Sequence, residues 1–234
     1  YDRTTLAKNK RFKVLTIGDS FSSIQGKWGY NNYLANIDST SVLQINASTS
    51  RNTSPLQFLI TLVNGDLFEK LKIDFVVLES VERYFVWRGC EFDSTRPPLF
   101  LDSILRINAI KKDSLQKQFF SDRILKVPFI NLLYFFNDKP NGSQTYSVEA
   151  TENLFSINSR KLLFFDQDID FLKFSNDSLK IVRLNKTLNY LSKKLRSKGV
   201  TLIVLPCPDK YDMYYSYIQN QNKYPRPLFF RYYN

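Results

Sequence analysis

The chain has 234 residues, 43% of them hydrophobic and 15% aromatic, which is ample for the core of one domain. Lys and Arg outnumber Asp and Glu 33 to 22, a formal charge of +11 that favours anionic partners such as an acidic glycan or an anionic membrane surface. The cations are scattered rather than massed, which argues against nucleic acid, and the absence of any histidine excludes the usual zinc sites and an in-chain histidine base.

Phe12–Ile17 reads as a buried first strand, followed by a sharp Gly18-Asp19 turn that presents Ser20 at the strand's carboxyl end. Ser22 or Ser23 reads as the cap of a helix running towards Leu34, with Gly26 and Gly29 weakening its first half. Ser41–Ile45 is the second strand. Ser54-Pro55 is a cap followed by Pro at the first helical position, and Leu56, Leu59, Ile60 and Val63 form an apolar stripe ending at Asn64-Gly65. Ile73–Leu78 is a third strand whose continuous apolar character suits a parallel sheet covered on both faces.

Residues 90–176, about 85 in all, break this rhythm and read as a mixed insertion over the sheet edge or the site mouth. Within them Leu99–Phe120 and Ile124–Phe136 are helix candidates, Asn141-Gly142 a turn, and Thr145–Asp170 a small hairpin. Regularity returns with a helix from Ser178, with Leu179, Val182, Leu184, Leu188, Leu191 and Leu195 near helical spacing, closed by Gly199. Val200–Leu205 is a further buried strand. The two cysteines, Cys90 and Cys207, read as buried thiols or as one bridge in an oxidising compartment. The whole is expected to be one α/β domain over residues 1–234, a doubly wound, mostly parallel sheet, with both chain ends reading as cut. Ligands of such sheets bind outside the carboxyl ends of the strands, where Ser20, Ser48–Asn52, Glu79–Arg83 and Asp209–Tyr211 all fall.

Gly18-Asp19-Ser20-Phe21, then Asn46-Ala47-Ser48-x-Ser50-x-x-Thr53, then an apolar strand ending in Glu79 resemble blocks I to III of the SGNH (GDSL-type) hydrolases over residues 11–85. The resemblance implies a flavodoxin-like SGNH fold, no metal and no cofactor, and Ser20 as nucleophile beside Asp19. It also implies an oxyanion hole built from backbone and side-chain donors. The block II glycine falls at Arg51, whose backbone N–H is the candidate donor, and the block III asparagine falls near Glu82-Arg83, making Arg83 the side-chain candidate. Glu79-Ser80-Val81-Glu82-Arg83-Tyr84, the central insertion and Pro206-x-Pro208-Asp209-Lys210-Tyr211-Asp212-x-Tyr214 are similar, more loosely, to the SGNH-like proteins of bacterial exopolysaccharide O-acetylation, the alginate acetylation and DHHW-type group. That likeness implies an extracytoplasmic place, an acidic or acetylated glycan as partner, and membrane-bound polysaccharide-modification proteins nearby. In the GDSL order the catalytic Asp and His lie together near the carboxyl terminus; in the alginate acetylation proteins they precede the serine.

Asn46, Asn52, Glu79, Lys210 and Tyr211 complete the candidate substrate-binding set. Lys210 suits a glycan carboxylate, and Tyr211, Tyr214, Tyr215 and Tyr217 suit sugar rings; an amphipathic helix with half-buried tyrosines is the plainer alternative. Glu79 reads as a buried carboxylate paired with Arg83. Asp209 is a poor substitute base, since an ordinary Asp pKa lies at about 3.9. Two functions follow. One is a serine-dependent O-acyl esterase or O-acetyltransferase acting on an exported polysaccharide through an acyl-enzyme on Ser20. The other is an inactive SGNH-like module that binds glycan or scaffolds an export complex. A nucleotide-binding domain is disfavoured because no glycine-rich phosphate loop follows the first strand.

Overall fold

The computed structural model describes residues 11–19, 21–22, 29–37, 40–46, 54–107, 129–156 and 159–233. They fall in two compact units, residues 1–111 with 178–207 and residues 112–177 with 208–234. Of residues 90–176, 90–111 fall in the first unit and 112–176 in the second, together with the C-terminal stretch.

The first unit is built on a four-stranded sheet. β1 (Val14–Gly18), β2 (Val42–Asn46), β3 (Phe75–Val81) and β6 (Thr201–Cys207) lie in the order β2-β1-β3-β6. Every pairing is parallel, with Ile17 opposite Ile45 and Leu78, and Leu78 opposite Val204. β1 is buried along its whole length and β3 nearly so, as their apolar runs require. β3 continues three residues beyond the apolar run, through Glu79, Ser80 and Val81, because the polar atoms there find partners inside the fold. β6 runs on to Cys207 through Pro206, tolerable in an edge strand because it asks less of the ladder.

One face of the sheet carries Val14, Val42 and Val77 against Tyr30, Leu34 and Ala35 of helix α1 (Tyr30–Asn36). The serine cap expected for this helix is absent: α1 starts after Gly29, and Ser22 is engaged elsewhere, while Ser23–Trp28 lie outside the described residues. Helix α2 (Pro55–Asn64) begins as its sequence predicts, with Ser54 Oγ accepting from Gln57 N–H at 3.3 Å and Pro55 first in the helix. It is buried nearly all round. α3 (Leu67–Leu71) follows, then β3, α4 (Glu82–Cys90) and α5 (Leu101–Ile107). The expected helix beyond Ile107 lies outside the described residues.

α9 (Ser178–Arg196) buries Ile181, Leu184, Leu188, Leu191 and Leu195. Leu179 and Val182, expected on that stripe, are exposed, because the face that meets the core is set by Ile181 and Leu184. Gly199, at φ 76°, turns the chain from α9 into β6. Cys90 and Cys207 are both free thiols, so there is no bridge between them.

In the second unit a helical stretch at 129–133 precedes β4 (Thr145–Glu149) and β5 (Lys161–Phe165), the expected hairpin, paired antiparallel. α7 (Asp166–Asp170), α8 (Leu172–Ser175), α10 (Lys210–Tyr214) and α11 (Phe229–Tyr233) complete it; α6 denotes the stretch at 129–133. Val148, Leu162 and Phe164 point inwards with Ile169, Leu172, Tyr211 and Ile218. Ala150 bridges to Ile218, and Gln219 N–H donates to Glu149 O at 2.7 Å, so the C-terminal stretch borders the hairpin. Among the described residues no helix is long and apolar enough to cross a membrane.

α4 and α9 meet at Gly89. A Cβ placed there lies 3.0 Å from the Leu184 backbone, and Thr187 Oγ1 donates to Gly89 O at 3.0 Å. Gly89→Ala is expected to force the helices apart and destabilise the first unit by about 1–3 kcal/mol, read as a lowered thermal midpoint; an unchanged midpoint means that the contact gives way freely.

Candidate functional site

In this strand order β1 is followed on one side by β2 and on the other by β3, so the switch point lies between β1 and β3. The paired positions of these two strands end at Ile17 and Leu78. Beyond them, carboxylates from the two strand ends take over. Glu79 Oε2 accepts the N–H of Asp19 at 2.8 Å, the N–H of Ser22 at 3.2 Å and the Ser22 hydroxyl at 2.9 Å. In return Asp19 Oδ2 accepts the N–H of Val81 at 3.1 Å and the Ser80 hydroxyl at 3.2 Å.

A guanidinium completes the arrangement. Arg88 Nη1 lies 2.5 Å from Asp19 Oδ2 and 3.0 Å from Ser80 Oγ, and the Arg88 group also sits over the Tyr84 ring, 4.8 Å from its centroid. The Arg88 and Asp19 side chains are about one-sixth exposed, at 15% and 16%, so water weakens this pair little. Arg88 comes from one turn further along α4 than Arg83, which places it above the strand ends.

The far side of the turn is held as firmly. The Ser22 hydroxyl gives its proton to Glu79 and receives one from Tyr30, 2.7 Å away. Ser22 O accepts from Asn31 Nδ2 at 2.8 Å and from the Gln44 amide. Gly18 is required here: a Cβ on it would collide with Ser22 Oγ and the Glu79 carboxylate.

Burial sets the electrostatics. Glu79 is fully buried, and burial raises its carboxyl above the ordinary value of 4.5, with Asp19 adding to the rise and the Ser22 hydroxyl opposing it. Its Oε1 has no hydrogen-bond partner among the described residues and is where a proton would reside. Burial likewise pushes the Tyr30 phenol up to about 12, so it stays a donor.

The structure thus brings Asp19 and Glu79 together and recruits Ser22, Tyr30, Ser80 and Arg88, none of which the sequence marks as a site residue. The pairing of Glu79 with Arg83 gives way to a different solution: Glu79 takes backbone and hydroxyl donors, and the cation that reaches the turn is Arg88, bound to Asp19. Full burial leaves Glu79 no surface to offer a substrate. Arg83 lies half-buried on α4 with its guanidinium 5.2 Å from the Tyr84 ring centroid. Ser20, Arg51 and Asn52 lie outside the described residues, and of Asn46 only the backbone is described, as the last residue of β2.

Lys210 and Tyr211 belong to the second unit. Tyr211 is wholly buried, its ring edge-on to Phe164 and its hydroxyl donating to Pro225 O at 2.7 Å, which is a core role rather than a sugar platform. Lys210 Nζ donates to Leu163 O at 3.0 Å. Comparison with protein-family models, with curated proteins and with solved structures yields no match.

Two outcomes test this network. A carboxyl raised by folding favours the folded state fully below 4.5, and that contribution is lost as the pH rises through its higher folded value. Glu79→Gln keeps an oxygen for the three donors and removes the titration, so urea midpoints between about pH 4 and about pH 8 should fall for the parent and flatten for the variant. Parallel curves would refute the buried titrating carboxyl. Arg88→Ala leaves Asp19 without its cation and should cost about 3 kcal/mol, read by denaturant unfolding; an unchanged midpoint assigns the pair no structural weight.

Proposed function

We propose that the chain is an SGNH-type serine acyl-transfer module, an O-acyl esterase or O-acetyltransferase acting on an exported, acidic or acetylated polysaccharide. The observation that carries the reading is the clamping of Asp19 and Ser22, the described residues that flank the Ser20-Phe21 pair of the Gly-Asp-Ser-Phe sequence, at the carboxyl end of β1 and the switch point of a parallel sheet. The strand order β2-β1-β3-β6 agrees with the flavodoxin-like order expected of such a module.

In this reading Ser20 attacks the acyl carbonyl carbon. The serine proton passes to a base, the carbonyl π electrons move onto oxygen, and the tetrahedral intermediate collapses to an acyl-serine with release of the alcohol. Water or a sugar hydroxyl then takes the acyl group and returns the enzyme. The reading requires a base that takes the serine proton near neutrality, and these 234 residues offer no histidine for it. Neither carboxylate at the turn replaces it: Asp19 is bound to Arg88, and Glu79 is sealed beneath the turn. The net charge of +11 suits an anionic glycan outside the cytoplasm, worked on beside membrane-bound modification proteins.

A second reading rests on the same absence of histidine: a non-catalytic module that keeps the turn and binds glycan or scaffolds an export complex.

Labelling with a fluorophosphonate probe, read by intact mass on this chain and on the complete natural protein, separates the two. Covalent labelling at Ser20 of the complete protein, lost in Ser20→Ala without loss of fold, is the result expected of the enzyme. A folded protein that stays unlabelled in both forms overturns the catalytic reading in favour of the binding module.

A further inference from the structure

The positive charge, scattered along most of the sequence, gathers on one helix of the first unit. From Ser178 to Lys198 the chain carries seven Lys and Arg and no acid. The buried stripe of Ile181, Leu184, Leu188, Leu191 and Leu195 fixes which way α9 faces. Its helical period then sets Leu179, Val182, Lys186, Tyr190 and Lys193 on the opposite side, with Arg183, Lys194 and Arg196 on the flanks.

The charge on this face is not cancelled by neighbours. Arg183, Lys186, Lys193, Lys194 and Arg196 are all exposed and make no ion pair among the described residues. They follow one another along about 20 Å of helix, at about 1.5 Å per residue. α9 packs against α4, α2 and β6, and the one acid on those three elements, Glu82, is buried. The acids of the flanking segments are engaged as well. Glu69 pairs with Lys198 at 3.0 Å, Glu91 accepts from the Trp87 indole at 2.6 Å, and Asp93 accepts from the Thr95 hydroxyl at 2.7 Å. Asp177 precedes the helix, at the end away from Lys193, Lys194 and Arg196.

Apolar side chains share the same face. Leu179 is 74% exposed, Val182 50% and Tyr190 36%. Tyr190 stands edge-on to Phe92, with ring centroids 6.0 Å apart, and the Lys194 ammonium lies 5.8 Å from the Tyr190 centroid. Long basic side chains carry their charge away from the backbone, so cations and shorter apolar groups on one face reach different depths of a boundary between water and hydrocarbon.

We propose that the outer face of α9 rests on an anionic bilayer surface, its lysines and arginines on the lipid headgroups and Leu179, Val182 and Tyr190 towards the acyl chains. Clusters of unpaired Lys and Arg on one helix have this affinity for anionic lipid. A hydrated acidic polysaccharide matches the cations alone and offers nothing to Leu179 and Val182, so the bilayer accounts for both halves of the face. The attachment is peripheral and stands apart from the reaction proposed for Ser20.

The test is flotation of the folded chain with phosphatidylcholine vesicles, with and without phosphatidylglycerol, at low and high salt. Binding to the anionic vesicles alone, weakened by salt, is expected. Lys186→Gln and Lys193→Gln should each weaken it about fivefold, whereas Lys186→Arg and, in the second unit, the exposed Lys223→Gln should leave it unchanged. Leu179→Ser should weaken vesicle binding with every charge kept. All these positions are exposed, and circular dichroism checks that the variants keep their fold. No binding to the anionic vesicles overturns the proposal. So does an equal loss in Lys223→Gln and Lys186→Gln, which reduces the effect to net charge, or a Leu179→Ser variant that binds as the parent does. Polygalacturonate that binds through Lys186 and Lys193 while the vesicles fail to bind also overturns it, and assigns the face to an acidic polymer.

Discussion

The first unit depends on a reciprocal exchange at the end of β1 and β3, where an acid from each strand holds the backbone of the other. Glu79 receives the N–H groups of Asp19 and Ser22, and Asp19 receives that of Val81. The exchange begins where the paired positions of the two strands stop, at Ile17 and Leu78, so side-chain oxygens extend the hydrogen bonding past the sheet. Buried N–H groups left without acceptors cost about 1–3 kcal/mol each. Two carboxylates meet three of them here, and the demand for a close approach then dictates Gly18 on the floor of the turn.

The two acids solve the problem of burial differently. Asp19 pairs with a cation, Arg88, which is fixed in turn by Ser80 and by the face of Tyr84. Glu79 meets no cation among the described residues; it relies on three donors to one oxygen, and burial lifts its affinity for a proton. The arrangement keeps two like charges from facing each other across one turn: one is neutralised by pairing and the other is weakened by desolvation.

The sequence shows the strands, the α2 cap, the hairpin and the long α9 because each is written in local pattern: apolar runs, Ser54-Pro55, Asn141-Gly142, the period of Leu184, Leu188, Leu191 and Leu195. It shows Asp19 and Glu79 as residues at strand ends. It does not show what they do, because their partners are distant along the chain. Arg88 lies 69 residues from Asp19, and Ser22 lies 57 from Glu79. Charge alone favours Arg83 for Glu79, whereas backbone N–H groups, invisible to a charge count, satisfy it. Tyr211 misleads for the opposite reason: one turn of helix has too short a period to reveal a buried ring, and only the hairpin packed against it makes Tyr211 core. The grouping of residues 208–234 with 112–177 is likewise a matter of contacts that no local pattern encodes.

The turn and the reaction proposed for it are separable. Among the described residues, the contacts that hold Asp19 and Ser22 come from carboxylates, hydroxyls, amides and one guanidinium within the first unit, and none of these contacts needs an imidazole. A serine reaction needs in addition a group that accepts the hydroxyl proton near neutrality, and both acids at the turn are already bound to structural partners. These contacts of Asp19 and Ser22 therefore serve either proposed function equally. What divides the two is the activation of Ser20, a property of the base and not of the frame that holds the turn.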